Sequence, residues 1–314
     1  PDRRAVRRVQ AHTGRAPGRN AAAHPRTALA MEAAPIILSV VAMSIIAAEF
    51  AWSRFCSRDV YNLRESLSNF SMAVVNNIQK PITLGWNFFV MSLVEPLQAF
   101  RLPDTGWAFV VTFVIVDFAY YWYHRLSHEV PLLWTMHHTH HSSPWMNFTT
   151  AIRLNWVAKF VSPLFFAPLV LLGLLPVFLA TSLALGLLFQ FFLHTEAIGR
   201  LGSFEGKLLN TPSAHRVHHG SNARYIDKNY AGVFIFWDRL FGTYTPEKET
   251  VRYGVTTGFV GHNPLVVQFR PLVQFLRGEW RREKQIVAER DMLRREKELR
   301  LNNKSPVAGA FLDQ

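Results

Sequence analysis

Six of the chain's thirteen histidines fall between His124 and His141. They read as H-x3-H at His124 and His128, then as H-x2-HH at His137, His140 and His141, with His138 as an extra. A second H-x2-HH stands at His215, His218 and His219, and His194 closes an apolar run between the two blocks. On a helix, positions i, i+3 and i+4 share a face, so two or three imidazoles there can grip one ion. Neutral imidazole suits iron, zinc and copper, so ligand type alone does not choose the metal. One ion rarely needs nine imidazoles, whereas two ions sharing four or five each would use them all. These nine histidines are therefore the candidate catalytic metal ligands. The lack of Glu-x-x-His pairs argues against a carboxylate-bridged helical bundle. The single cysteine, Cys56, excludes a multi-cysteine zinc site and an internal disulfide framework. Packing is its expected role.

The elements that must carry these residues look like membrane spans. The chain has 314 residues, of which 49% are hydrophobic and 18% charged. That composition is apolar for a soluble protein. Residues 34–52 and 106–123 read as spans, and residues 69–100 as one long imperfect span or an inserted hairpin. Residues 156–193 are mostly apolar but broken by Gly173 and Pro176. That pattern predicts a transmembrane hairpin of two helices, each of roughly 20 residues. The expected fold is thus an all-α integral membrane protein with four to five transmembrane helices under a cytosolic histidine-rich cap. If residues 124–147 are cytosolic, the hairpin leaves from that side at Arg153 and returns to it at His194. Every histidine block then lies on one face, together with Arg54, Arg58 and Arg64, as the positive-inside rule expects.

The net charge is +12, and residues 1–30, with seven arginines and one aspartate, account for half of it. That stretch is expected to be a disordered or non-native N-terminal extension before Met31, with an arginine-rich transit peptide as runner-up. Residues 31–276 form the expected catalytic domain, and 277–314 a charged helical tail. No basic stretch accompanies a nucleic-acid-binding motif, so no nucleic-acid partner is expected. GVFIFWDRLFGTY is expected to be a short helix or strand.

The blocks HRLSH, HHTHHSS and HRVHH, in that order, resemble the membrane-bound fatty acid hydroxylase/sterol desaturase superfamily, whose pattern is HX3–4H, HX2–3HH, a further histidine region and a final HX2–3HH. The surrounding sequences, MNFTTAIR and DKNYAGVFIFWDRLFGTY among them, are similar to bacterial members, and the resemblance spans roughly residues 45–245. It implies a di-iron, O2-dependent oxidoreductase that hydroxylates or desaturates an unactivated C–H bond of a lipid, such as a sterol or fatty acyl chain. By the same resemblance His124 and His128 form the first pair, His137, His140 and His141 the second block, His194 the third region, and His215, His218 and His219 the last. Many relatives carry a second histidine four residues before the position of His194. Here that residue is Gln190, which leaves a tenth ligand missing or replaced by Gln190 or water.

Around the ligands, Asp117 lies seven residues before His124 on roughly the same helix face, and a buried carboxylate in a span needs a partner. It is expected to accept a hydrogen bond from a ligand histidine and so set its tautomer. Asp238 and Glu129 are weaker candidates for that role. His138 projects off the ligand face, which suits a supporting or surface position, and His262 is expected to cap a turn. Arg125 and Arg216 are expected to meet solvent or headgroups, and Asn222 either to ligate through a water or, equally, to suit a turn. Trp107, Tyr120 to Tyr123, Trp134 and Trp145 would form an interfacial aromatic belt. No flavin, haem-attachment or iron–sulfur motif is present, so electrons are expected from a separate reductase with a cytochrome or ferredoxin. Two rivals remain: a zinc-dependent membrane hydrolase or isomerase, and a catalytically silent scaffold.

Overall fold

The computed structural model describes the backbone of residues 25–279 and 281–303, and the side chains of residues 37–279 and 281–295. Among the described residues there are helices, turns and one isolated antiparallel bridge, Leu209 to Phe234. The chain divides into two compact units, residues 1–47 and 48–314. The first contributes the start of helix α1, Pro25–Phe55, and the second contains everything else described below. Residues 25–30, expected to be disordered, are the first turns of α1; residues 1–24 lie outside the described residues.

Among the described residues, two helices are long and apolar enough to cross a membrane: residues 37–55 of α1, and α4, Gly106–Glu129. The other expected spans are shorter than the apolar pattern implied. Residues 69–100 hold α2, Leu63–Ile78, and α3, Lys80–Val94, joined through Gln79 alone. Gln79 keeps right-handed helical angles, so the chain bends there and does not reverse as a hairpin would. Pro81 accounts for the bend, since its ring crowds the preceding turn and removes one N–H. The expected hairpin at 156–193 contains α7, Ala158–Phe166, a 3-10 turn, Ala167–Leu172, and α8, Pro176–Phe191. Helix α8 has 16 residues. At a rise of about 1.5 Å per residue it reaches about 24 Å, short of a hydrocarbon core of about 30 Å. Gly173, at φ 80°, and Pro176 set the break. Phe100 packs on Gly173 where any side chain would stand.

Val116 and Ala119 of α4 pack with Phe166 and Val170 of the α7 segment and Leu179 of α8, which ties these three elements together. Helix α5, Pro131–His141, follows α4 after Val130, because Pro131 can start a helix but not continue one. It lies between α4 and α11, Pro264–Leu276, so both its faces are covered. The remaining elements are short: α6, Phe148–Ala151, with Asn147 as its cap; α9, Pro212–His218, capped by Thr211; and α10, Phe236–Leu240. The stretch GVFIFWDRLFGTY forms that bridge and α10. Helix α12, Glu283–Asn303, carries the charged tail.

Candidate metal centre

All nine expected ligands converge, in two groups. His124, His128, His137, His141 and His218 form one, and His140, His194, His215 and His219 the other; within each, one nitrogen per ring lies within 4.8 Å of the rest. Each H-x2-HH block is split between them. The geometry of the helix explains the split: i and i+4 lie about 40° apart around the axis, while i+3 and i+4 lie about 100° apart on either side of i. His137 and His141 therefore pair, leaving His140 for the other group, and His215 and His219 pair, leaving His218 to cross over. The two groups meet where the rings of His141 and His219 stack at 4.3 Å.

Main-chain carbonyls orient the rings. Nδ1 of His124 bonds the Tyr230 carbonyl at 2.7 Å, His194 that of Gln190 at 2.8 Å, His218 that of Lys228 at 3.0 Å and His140 that of Arg153 at 3.3 Å. A ring that donates from Nδ1 presents its Nε2 lone pair. His140 and His194 thus point two Nε2 lone pairs at each other across 3.1 Å. Two acceptors at that distance repel unless a cation lies within reach of both. Nε2 of His128, His218 and His219 and Nδ1 of His215 are buried with no protein partner. Burial, with neighbouring imidazoles adding to it, holds His137, His140, His141, His215, His218 and His219 well below the ordinary 6.5, and burial brings His194 to about 4. The rings are neutral near pH 7, which is the form that ligates.

The Nε2–Nε2 approaches within the groups, 2.9 Å for His124–His137, 3.1 Å for His137–His141 and 3.0 Å for His194–His215, test the fit to a metal. Two nitrogens about 2.1 Å from one ion stand about 3.0 Å apart at a right angle and about 3.4 Å apart at the tetrahedral angle. These approaches lie in the range that two ligands of one ion would take, and the groups of five and four could each hold an ion.

The carboxylates expected on the ligands sit elsewhere. Asp117 accepts from the N–H groups of Val233 and Phe234 and from Trp237 Nε1, at 2.9, 3.1 and 3.0 Å, and meets no histidine. Asp238, fully buried, accepts from the Tyr230 and Ala231 N–H groups at 2.8 Å and from Thr243. Together they clamp the Tyr230–Phe234 loop that supplies the carbonyl for His124. Gly232 is required between them, because a Cβ there would come within 2.8 Å of Tyr120 and 3.0 Å of Asp117. Burial pushes the Asp238 carboxyl up to about 6. Glu129 pairs with Arg125. Gln190 stands in for no ligand: its side chain bonds Tyr120 and the Gly186 carbonyl, and only its own carbonyl serves His194.

Other expectations are met in part and corrected in part. His138 is buried against Trp134, off both groups, and burial beside Arg153 and Arg270 brings it to about 3. His262 caps nothing; it bonds Glu65 at 2.7 Å. Arg216 is buried and holds the Thr195 and Ile198 carbonyls and Glu247. Asn222 braces the Glu249–Arg252 segment, as a turn residue does. Tyr121 and Trp134 are buried rather than interfacial, and Cys56 is exposed.

Three supports escaped the sequence reading. Asp227, in the left-handed region at φ 57°, places Oδ1 3.5 Å from His128 Nδ1, and Lys284 of α12 holds its other oxygen at 3.1 Å. Burial raises the Asp227 carboxyl, but His128 and Lys284 outweigh that and keep it below its ordinary value. Arg153, with no exposed surface, pairs with Glu65 at 2.9 Å and donates to Asn69, Ser142 and the Thr139 carbonyl. Glu49 accepts from Tyr61, the Phe148 N–H and Thr195, the residue after His194. The DKN motif pointed to Asp227 only weakly, and nothing local marks Arg153 or Glu49 as buried.

Comparisons with known proteins find relatives of the segment that holds this centre. Residues 109–243, which include all nine histidines, match the fatty acid hydroxylase family. The alkylglycerol monooxygenase of Xenopus tropicalis is 46% identical over 181 residues, 57% of this chain and 40% of that protein. The human alkylglycerol monooxygenase is 41% identical over 187 residues, 59% of this chain and 42% of its own length. An ornithine lipid hydroxylase of Rhizobium tropici is 30% identical over 190 residues, 57% of each chain. The chain thus spans less than half the length of the alkylglycerol monooxygenases described here. No solved structure matches. The nine-histidine segment, residues 109–243, is thus similar to the fatty acid hydroxylase family.

Proposed function

We propose that the chain is a membrane-bound, di-iron monooxygenase that hydroxylates a C–H bond in the alkyl part of a lipid. The observation that carries this reading is the convergence of nine histidines into groups of five and four, with two Nε2 lone pairs of the smaller group facing each other. Alkylglycerol monooxygenases and a lipid hydroxylase as relatives support the substrate class, and favour hydroxylation over desaturation. Fatty acyl chains fit the same chemistry, and sterols are the less favoured substrate.

In this reading the nine histidines are the ligands, five to one iron and four to the other. Bound iron supplies the activation and reduction of O2. One oxygen atom enters the C–H bond as hydroxyl and the other leaves as water, with two electrons and two protons from outside. A separate reductase with a cytochrome or ferredoxin supplies the electrons. The protein's share is positional. Carbonyls of Tyr230, Gln190, Lys228 and Arg153 hold the rings by Nδ1, and burial keeps them neutral and excludes bulk water. Residues 31–276 act as the catalytic domain and 277–314 as the charged tail. Helices α1 and α4 cross the bilayer, α3, α7 and α8 sit within it, and the histidines face the cytosol.

Metal analysis with Mössbauer spectroscopy, and incubation with lipids under 18O2, test this together. Two irons per chain and one labelled oxygen in the product are expected. Full activity with stoichiometric zinc and no O2 uptake would replace it with the hydrolase reading.

A further inference from the structure

One cavity stands outside the metal centre with the size of a ligand site. It measures about 470 Å³. That volume falls within the range of small-molecule pockets. The cavity between α4 and α8 at Ser182 and Gly186 measures about 10 Å³. Such a space has room for no more than one water. The wall of the larger cavity is made by the segments that leave the histidine blocks. Trp145 and Met146 follow His141, and Glu196 comes two residues after His194. The Arg252 carbonyl accepts from the N–H and hydroxyl of Ser221, two residues after His219. Three histidine segments therefore lead into this one wall. Arg58 and Asp59 complete it just beyond Phe55, the end of the apolar part of α1, where a bilayer gives way to water.

The lining has a definite chemistry. Arg58 and Arg252 bring two cations, and Asp59 and Glu196 two carboxylates, and none of the four belongs to an ion pair among the described residues. Tyr253 adds a hydroxyl to the lining, while Trp145 and Met146 supply apolar wall. Donors and acceptors of both signs over an apolar base, at the membrane boundary, suit a small polar group on an aliphatic stem.

We propose that this cavity is the subsite for the polar head of the lipid substrate, which it anchors beside the four-histidine group. The proposal rests on the reading that the substrate is a lipid. The head carries hydrogen-bond donors and acceptors together. A glycerol diol and a zwitterionic amino-acid head share that chemistry.

Binding separates this proposal from the oxidation. The full chain in detergent, loaded with zinc in place of iron so that no turnover occurs, is titrated by native mass spectrometry with 1-O-hexadecylglycerol, an ornithine lipid and hexadecane. Glu196→Gln and the double variant Arg58→Gln/Arg252→Gln are compared with the unaltered chain. Arg58 and Arg252 are exposed, so their replacement leaves the fold intact, and unchanged metal content verifies this. Loss of one charged hydrogen bond weakens binding about tenfold or more. That loss is expected for one or both head-bearing lipids in each variant, with hexadecane unchanged. Loss confined to the ornithine lipid identifies a zwitterionic head, and loss for the alkylglycerol a diol. Equal binding of both lipids by all proteins overturns the proposal, as does equal weakening of lipid and hexadecane. Intact head-dependent binding without O2 uptake in the iron form would sink the oxidation reading and leave this subsite standing.

Discussion

The five-histidine and four-histidine groups draw on the same two helices, α5 and α9, yet their surroundings differ. In the larger group His128 and His137 keep some exposure, and Asp227 stands beside His128, tied through Lys284 to the charged tail. In the smaller group all four rings are buried, and the described partners of His140 and His194 are neutral carbonyls. One group thus has a spare ligand and a carboxylate against one of its rings, and the other has one ring fewer, with no carboxylate among the described partners of its rings. Ligand redundancy and local charge, rather than the type of side chain, set the two apart.

The largest effect expected from that difference is on metal retention. His215→Ala leaves three ligands in the smaller group, so metal content should fall from two ions to about one. Activity should fall more than about 100-fold, beyond the loss typical of removing a residue that only supports a ligand. His128→Ala leaves four ligands in the larger group, so content should stay near two and activity fall about 10–100-fold. Elemental analysis and product assays on both variants check this, and equal losses would break the contrast.

Acid should affect the two groups alike. His140, His215 and His219 on one side and His137, His141 and His218 on the other are held well below 6.5 by burial, so the unfolded chain binds protons that the folded chain does not. The stability they provide is present above about pH 6.5 and is lost as pH falls through it, by up to about 1.4 kcal/mol per pH unit for each histidine. Thermal unfolding of metal-free protein from pH 8 to 5 should show one smooth decline. Two separate steps would mean the groups titrate differently.

A smaller effect tests the charge. Asp227→Asn should weaken retention of one ion about tenfold and leave the other unchanged, giving a biphasic chelator titration. A monophasic loss would show that the carboxylate serves both groups. Smallest is Lys284→Ala, whose ammonium is largely exposed. A loss of about 0–1 kcal/mol of stability is expected, read by thermal unfolding. A drop in metal content as large as that of Asp227→Asn would show that the tail positions the carboxylate.

Much of the centre was legible beforehand because metal ligation demands particular atoms at particular helical spacings. The convergence of the nine histidines into groups of five and four follows from that. The spans were harder to read. Apolar composition alone cannot distinguish a helix that crosses a bilayer from shorter ones broken by Pro81, Gly173 and Pro176, and α8 came out at 16 residues. The roles of Asp117 and Gln190 were misjudged for another reason: a side chain one or two helical turns from a ligand has many possible partners, and the loop that takes Asp117 arrives from 116 residues further along the chain.

By itself the sequence determined which histidines could be ligands and the order of their blocks, because these depend on residue type and local periodicity. The meeting of the two histidine blocks, the choice of main-chain carbonyls to hold the rings, and the burial of Arg153 and Glu49 were decided only by tertiary structure. Each depends on contacts between segments far apart in the chain, and no local pattern encodes the direction from which such a segment arrives.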